Sequence, residues 1–151
     1  MLREQIADSL KAAQKGQDRK RTSTLRLIHA AIIDRDIALR GKGKDKADDE
    51  EVLDILSKMV KQREESSALY QKGGRQDLAD QEQTEIGIIK EFLPEQLDGE
   101  QLDGVIGELI EETGAQSLRD MGKIMGLLKE RYRGQVDMGV AGAKLKARLS
   151  G

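Results

Sequence analysis

Apolar residues recur every three or four positions along nearly the whole chain, and this periodicity constrains the fold more than any motif does. Leu2, Ile6, Leu10 and Ala13 form one stripe, and Leu25, Ile28, Ile32 and Leu39 a second. Val52, Leu53, Leu56, Met59 and Val60 form a third, followed by Leu78, Ile86, Ile89 and Leu93. Later come Leu102, Val105, Ile106, Leu109 and Ile110, then Leu118, Met121, Met125, Leu128 and Tyr132, and last Met138, Ala141, Leu145 and Leu149. Such spacing gathers each set on one helix face, which must be buried against another. No convincing stretch alternates at period two, as a half-buried strand would. The expected fold is all-α.

Start and stop signals fall between the stripes. Gly16 is placed as the stop of the first helix, Asp18 as the cap of the second, and Gly41 as its end. The segment Gly41-Lys42-Gly43-Lys44-Asp45-Lys46 reads as a mobile basic loop. Asp48 and Glu51 suit a capping box at the start of the third helix, which is expected to run to Gly73-Gly74. Asp98 with Gln101, Ser117 with Asp120, and Asp137 are placed as the later caps, with Gly114 and Gly134 as stops. The single proline, Pro94, ends a helix at or just before it. Glycine also becomes denser there, with six of the 16 in residues 1–93 and ten in residues 94–151. The sequence is therefore read as a four-helix N-terminal domain, 1–93, followed by a three-helix C-terminal domain, 94–151.

The overall charge of −2 conceals segregation. Residues 1–46 carry 12 Lys+Arg against 6 Asp+Glu, residues 47–113 carry 6 against 19, and residues 114–151 carry 8 against 3. Two basic ends around an acidic middle suggest surfaces with separate partners, although acidic solvated helix faces account for the middle equally well.

Catalysis is argued against by what is missing. There is no Cys, which removes thiolate nucleophiles and cysteine metal sites and suits a reducing compartment. His29 is the one imidazole, and within Leu27-Ile28-His29-Ala30-Ala31-Ile32 it reads as a packed or rim histidine. Two-histidine zinc motifs are impossible. After Lys44 comes Asp45, where a phosphate loop needs Ser or Thr. No catalytic residue, metal site or cofactor is expected. With no apolar run of about 18 residues and a charged, amphipathic Met1 to Leu10, a cytoplasmic protein without a membrane partner is expected.

Two groups of residues stand out as candidate sites. On the third helix, Arg63, Ser66 and Tyr70 continue the core spacing, and antiparallel return after Gly73-Gly74 brings Arg63 level with Glu82 and Glu85. An Arg63–carboxylate pair between the helices is expected, either as a structural register pin or as part of a polar pocket. The second group is the tail. Arg119, Lys123, Lys129, Arg131, Arg133, Lys144, Lys146 and Arg148 lie on two short helices, with Gly122, Gly126 and Gly134 leaving places for close approach. Cations beside bare backbone suit phosphate groups. Only Tyr70, Phe92 and Tyr132 are aromatic, so base-stacking platforms for single strands are nearly absent and folded RNA is the better target. Lys144 and Arg148 flank the Leu145/Leu149 stripe, so the alternative for them is snorkelling over the core.

Taken together, Leu25-Arg26-Leu27-Ile28, Lys61-Gln62-Arg63-Glu64-Glu65-Ser66, Gly74-Arg75-Gln76-Asp77-Leu78 and Phe92-Leu93-Pro94 resemble the bacterial YqeY proteins. Asp120-Met121-Gly122-Lys123-Ile124-Met125-Gly126 and Gly134-Gln135-Val136-Asp137 extend the likeness nearly end to end. That family in turn resembles, in its C-terminal part, the tail of the B subunit of the glutamine-dependent tRNA amidotransferase, which grips tRNA. Gly122, Met125 and Gly134 match the tail's glycine–methionine–glycine pattern, with about one extra helical turn between Met125 and Gly134. The resemblance implies a tRNA-related accessory module lacking the enzyme's catalytic parts, although the family name is attached to carbon–nitrogen ligase activity. The partners it implies are tRNA, and amidotransferase subunits or another translation protein. The competing expectation is a protein–protein module that docks through the acidic helices.

Overall fold

The computed structural model describes residues 1–150; Gly151, the last residue of the expected second domain, lies outside them. The described residues form seven α-helices and one 3-10 turn, with no strand among them. The helices are α1 (Leu2–Lys15), α2 (Arg19–Arg40), α3 (Asp49–Lys72), α4 (Gln76–Lys90), α5 (Gly99–Thr113), α6 (Met121–Arg131) and α7 (Met138–Ser150). The 3-10 turn, Leu118–Asp120, leads directly into α6. Two compact units result, Met1–Leu93 and one from Pro94 onward.

In the first unit α1 to α4 enclose a core of Ile6, Leu25, Ile28, Ile32, Val52, Leu56, Val60, Ile86 and Ile89. Arg3 of α1 donates to both carboxylate oxygens of buried Asp36 on α2, at 3.0 and 2.7 Å, and the Ala47 N–H adds a third donor at 2.8 Å. This acid pins α1, α2 and the loop before α3 together. Arg21 at the start of α2 forms a two-pronged ion pair with Glu91, after the end of α4. In the second unit Leu102, Ile106 and Leu109 of α5 meet Ile124 and Leu128 of α6 and Ala141 and Leu145 of α7.

Several helix ends differ from the sequence reading. Gly16 is right-handed, at φ −78°, and the left-handed position falls on Gln17, at φ 56°, where the Asp18 N–H closes back on the Ala13 carbonyl at 3.0 Å. At α3, Asp48 accepts from the Glu51 N–H at 2.9 Å, but the Glu51 carboxylate is taken by Lys44, which also pairs with Asp48. The basic loop is thereby fastened to the start of α3. Asp98 and Gln101 form the full reciprocal capping box. The stripe of α6 is centred on Ile124, which is absent from the stripe drawn from sequence, and Leu118 is 46% exposed.

Candidate nucleic-acid interface

The second unit turns one face of α6 toward its core and the opposite face outward. Ile124 and Leu128 are fully buried, while Met121, Met125 and Leu127 pack around them. Outward, at spacings of three and four, lie Arg119, Gly122, Lys123, Gly126 and Lys129, all exposed. The turn that launches this stripe is held by Asp120, whose carboxylate accepts from the backbone N–H groups of Gln116 at 2.9 Å and Ser117 at 3.2 Å. Those two donors hold the Asp120 carboxyl below the usual carboxylate range, so it stays charged beside Arg119 and Lys123.

The outward glycines have no packing reason to be glycine. A Cβ added at Gly122 or Gly126 would meet nothing within 4 Å. Glycine in an exposed helix interior costs about 1 kcal/mol relative to alanine. Arg119, Lys123 and Lys129 form no ion pair among the described residues. The result is a strip of bare helical backbone bordered by three cations, two of which, Arg119 and Lys123, also face the Asp120 carboxylate.

The remaining tail cations are not equivalent to these three. Arg131 makes a two-pronged pair with Glu112 of α5, both contacts at 2.8 Å, which raises the guanidinium pKa and lowers that of the carboxyl. Lys144 pairs with Asp103 at 3.0 Å, and Arg148 donates to the Asp103 carbonyl at 3.2 Å with its guanidinium laid over Gly107. These three side chains bind α6 and α7 to the acidic side of α5. Arg133 is half-buried just past the end of α6. Gly134 is a different kind of glycine from the other two. It is buried with φ +80°, its carbonyl accepts from the Gln96 side chain, and its demand is for backbone conformation rather than open approach.

The polar group between α3 and α4 lies in the first unit. Arg63 donates from Nε to Glu85 at 2.8 Å and from Nη1 to the Met59 carbonyl at 3.2 Å, so the expected register places it on Glu85. Ser66, Tyr70 and Glu82 are half-buried and do not join this pair. The serine that faces α4 is Ser67, one position on, which is buried, donates to the Ala79 carbonyl at 3.4 Å and accepts from Gln83 at 3.1 Å. A tied helix hairpin results rather than an open pocket. His29 is exposed, not packed in the core. No group of three or more His, Asp or Glu among the described residues is arranged to hold a metal ion. No helix among them is long and apolar enough to cross a membrane.

Against known families, a family model described as Yqey-like protein matches residues 3–149. The chain belongs to the YqeY family. Among curated proteins, it is 33% identical over 88 residues to "Altered inheritance of mitochondria protein 41, mitochondrial" of Saccharomyces cerevisiae (strain YJM789), covering 58% of this chain and 46% of that protein. The proteins of the same name from Lachancea thermotolerans and Kluyveromyces lactis are 33% and 34% identical over 88 residues, covering 58% of this chain and 46% and 45% of theirs. The chain thus matches about half the length of these curated relatives.

Proposed function

We propose that this YqeY-family chain is a non-catalytic adaptor for folded RNA, with tRNA as the ligand, and that the outward strip of α6 holds the sugar-phosphate backbone. The observation that carries this reading is the pair of α6 glycines, Gly122 in the first turn and Gly126 in the interior, open to solvent between Arg119, Lys123 and Lys129. Bare helical backbone lets a phosphate chain come close, and the cations on either side, none of them held in an ion pair among the described residues, supply positive charge. Scarcity of aromatic residues argues for recognition by shape and phosphate rather than by base stacking. Resemblance of the tail to the amidotransferase B subunit points to tRNA in particular, and to amidotransferase subunits or another translation protein as companions. Such work belongs where tRNA is found, in the cytoplasm on this reading.

Filter binding of total tRNA across a salt series tests the proposal. Three phosphate contacts give a slope of about −2 to −3 in log K against log salt. Arg119→Glu with Lys123→Glu should remove most of that slope and weaken binding about tenfold or more, with helical circular dichroism unchanged because neither side chain packs in the core. Salt-independent binding, or a double variant that binds as the parent does, rejects the α6 interface.

A further inference from the structure

Helix α2 is apolar on two sides, and the core accounts for only one. Leu25, Ile28 and Ile32 point inward with Asp36. Outside that stripe Leu27, Ile33 and Ile37 are 47%, 41% and 59% exposed, and Ala30 is exposed as well. The outer residues Arg26, Ala30, Ile33, Ile37 and Arg40 follow one another at steps of four, three, four and three. That is the repeat by which one helix packs along another, and small Ala30 leaves room for close approach.

From this face we propose that α2 is a docking surface for an acidic amphipathic helix of a partner protein. Charge selects the partner. Arg26 and Arg40 stand at the two ends of the apolar seam, and neither forms an ion pair among the described residues. Arg19 and Lys20 extend the positive charge toward the helix start, where a groove lined by Gln14, Thr22, Ser23 and Leu27, with the one acid Asp18, adjoins the face. Arg21 and Arg35 are engaged by Glu91 and Glu51, and Asp36 is buried, which leaves Asp34 as the exposed acid of α2. A helix with aliphatic residues along its seam and glutamates beside it would satisfy both the isoleucines and the arginines.

Other occupants fit less well. A second copy pairing α2 with α2 sets cation against cation in either direction, Arg26 beside Arg40 when antiparallel and Arg26 beside Arg26 when parallel. RNA gains nothing from aliphatic side chains that neither stack nor hydrogen-bond. A membrane surface favours a wide apolar sector edged with Trp or Phe, whereas this seam is narrow and wholly aliphatic. The surface is also independent of the α6 strip, so the two proposals stand or fall separately.

The test titrates the 15N-labelled full chain with a synthetic amphipathic helical peptide carrying Leu and Ile on its seam and Glu on both flanks. The result expected is perturbation of backbone amides from Arg26 to Arg40. Ile33→Gln with Ile37→Gln should weaken peptide binding at least about tenfold. Those exposed positions leave helical circular dichroism and tRNA binding unchanged. Equal binding by a peptide with Lys flanks, perturbations elsewhere, or no binding at all would overturn the proposal. Concentration-dependent shifts of the same amides without peptide assign the face to a second copy. Stronger perturbation there by phosphatidylserine vesicles or by tRNA assigns it to lipid or RNA. Each of these outcomes also overturns it.

Discussion

The Asp36 carboxylate receives three N–H donors, two from the Arg3 guanidinium and one from the backbone of buried Ala47. The Arg3 hydrogen bonds are the largest influence on it and hold the carboxyl below its ordinary value against the opposing effect of burial. An acid whose folded pKa is depressed stabilises the fold at every pH above its unfolded value, about 3.9, and loses that contribution as pH falls through the lower folded value. Asp36→Ala leaves the Ala47 N–H buried without an acceptor and should cost about 2 kcal/mol at pH 7. Urea denaturation of parent and variant checks this; the gap between them should begin to narrow below about pH 4 and go on narrowing as pH falls through the depressed folded value. A gap that does not change with pH across the acid range would show that packing, not the charge, is responsible. Asp98 and its partner Gln101 were legible in the sequence because a capping box is local, three residues apart. Asp36 was not. Its partner is 33 positions away, and nothing local distinguishes it from a solvated acid.

Among elements, the antiparallel hairpin of α3 and α4 was the most legible. Core spacing carried through Arg63, and the glycine turn at Gly73-Gly74 set the register that brings it to Glu85. Where the expected position is off by one residue, as with Ser66 for Ser67 or Gly16 for Gln17, helical period alone cannot resolve the phase at the edge of a stripe or at a helix end. The outer seam of α2 is hidden in the sequence for a related reason. On a helix with two apolar faces, the inward stripe matches the core period, and the outward residues merely resemble scatter around it. On α6 the same glycines that signalled a tail resembling a tRNA-gripping one also make a double prediction. Gly122→Ala and Gly126→Ala, each placing a methyl in open space, should raise stability by about 0.5–1 kcal/mol apiece. If phosphates approach the backbone there, the same substitutions should weaken tRNA binding several-fold. Thermal denaturation and filter binding on one preparation read both quantities. More stability with undiminished binding would remove the close-approach role from these glycines while leaving the cations as candidates.

For the molecule as a whole, the charge blocks change meaning once they are counted by structural unit. Residues 1–93 carry 18 Lys+Arg and 18 Asp+Glu, and residues 94–151 carry 8 and 10. The basic tail therefore shares its unit with the acid-rich segment through α5, whose Asp103 and Glu112 engage Lys144 and Arg131. Positive charge is carried by the outer side of α6 and by exposed Lys146 of α7, not by the whole unit, and RNA affinity should accordingly be modest. The cores fall in separate stretches as well, residues 6–89 and 102–145, with no buried apolar residue shared. Two unfolding transitions are expected in calorimetry, with the smaller second unit less stable because a chain of this size buries a smaller fraction of its surface. A ligand stabilises the unit that binds it. Excess tRNA, at about 100 times its dissociation constant, should raise the transition of the second unit by about 20 °C and leave the first in place. Asp36→Ala should do the reverse, lowering the first transition alone, and so identifies which peak is which. If tRNA instead raises the peak that Asp36→Ala lowers, the RNA surface belongs to the first unit. Its unpaired Arg19, Lys20 and Arg26 would then replace α6 as the residues to substitute.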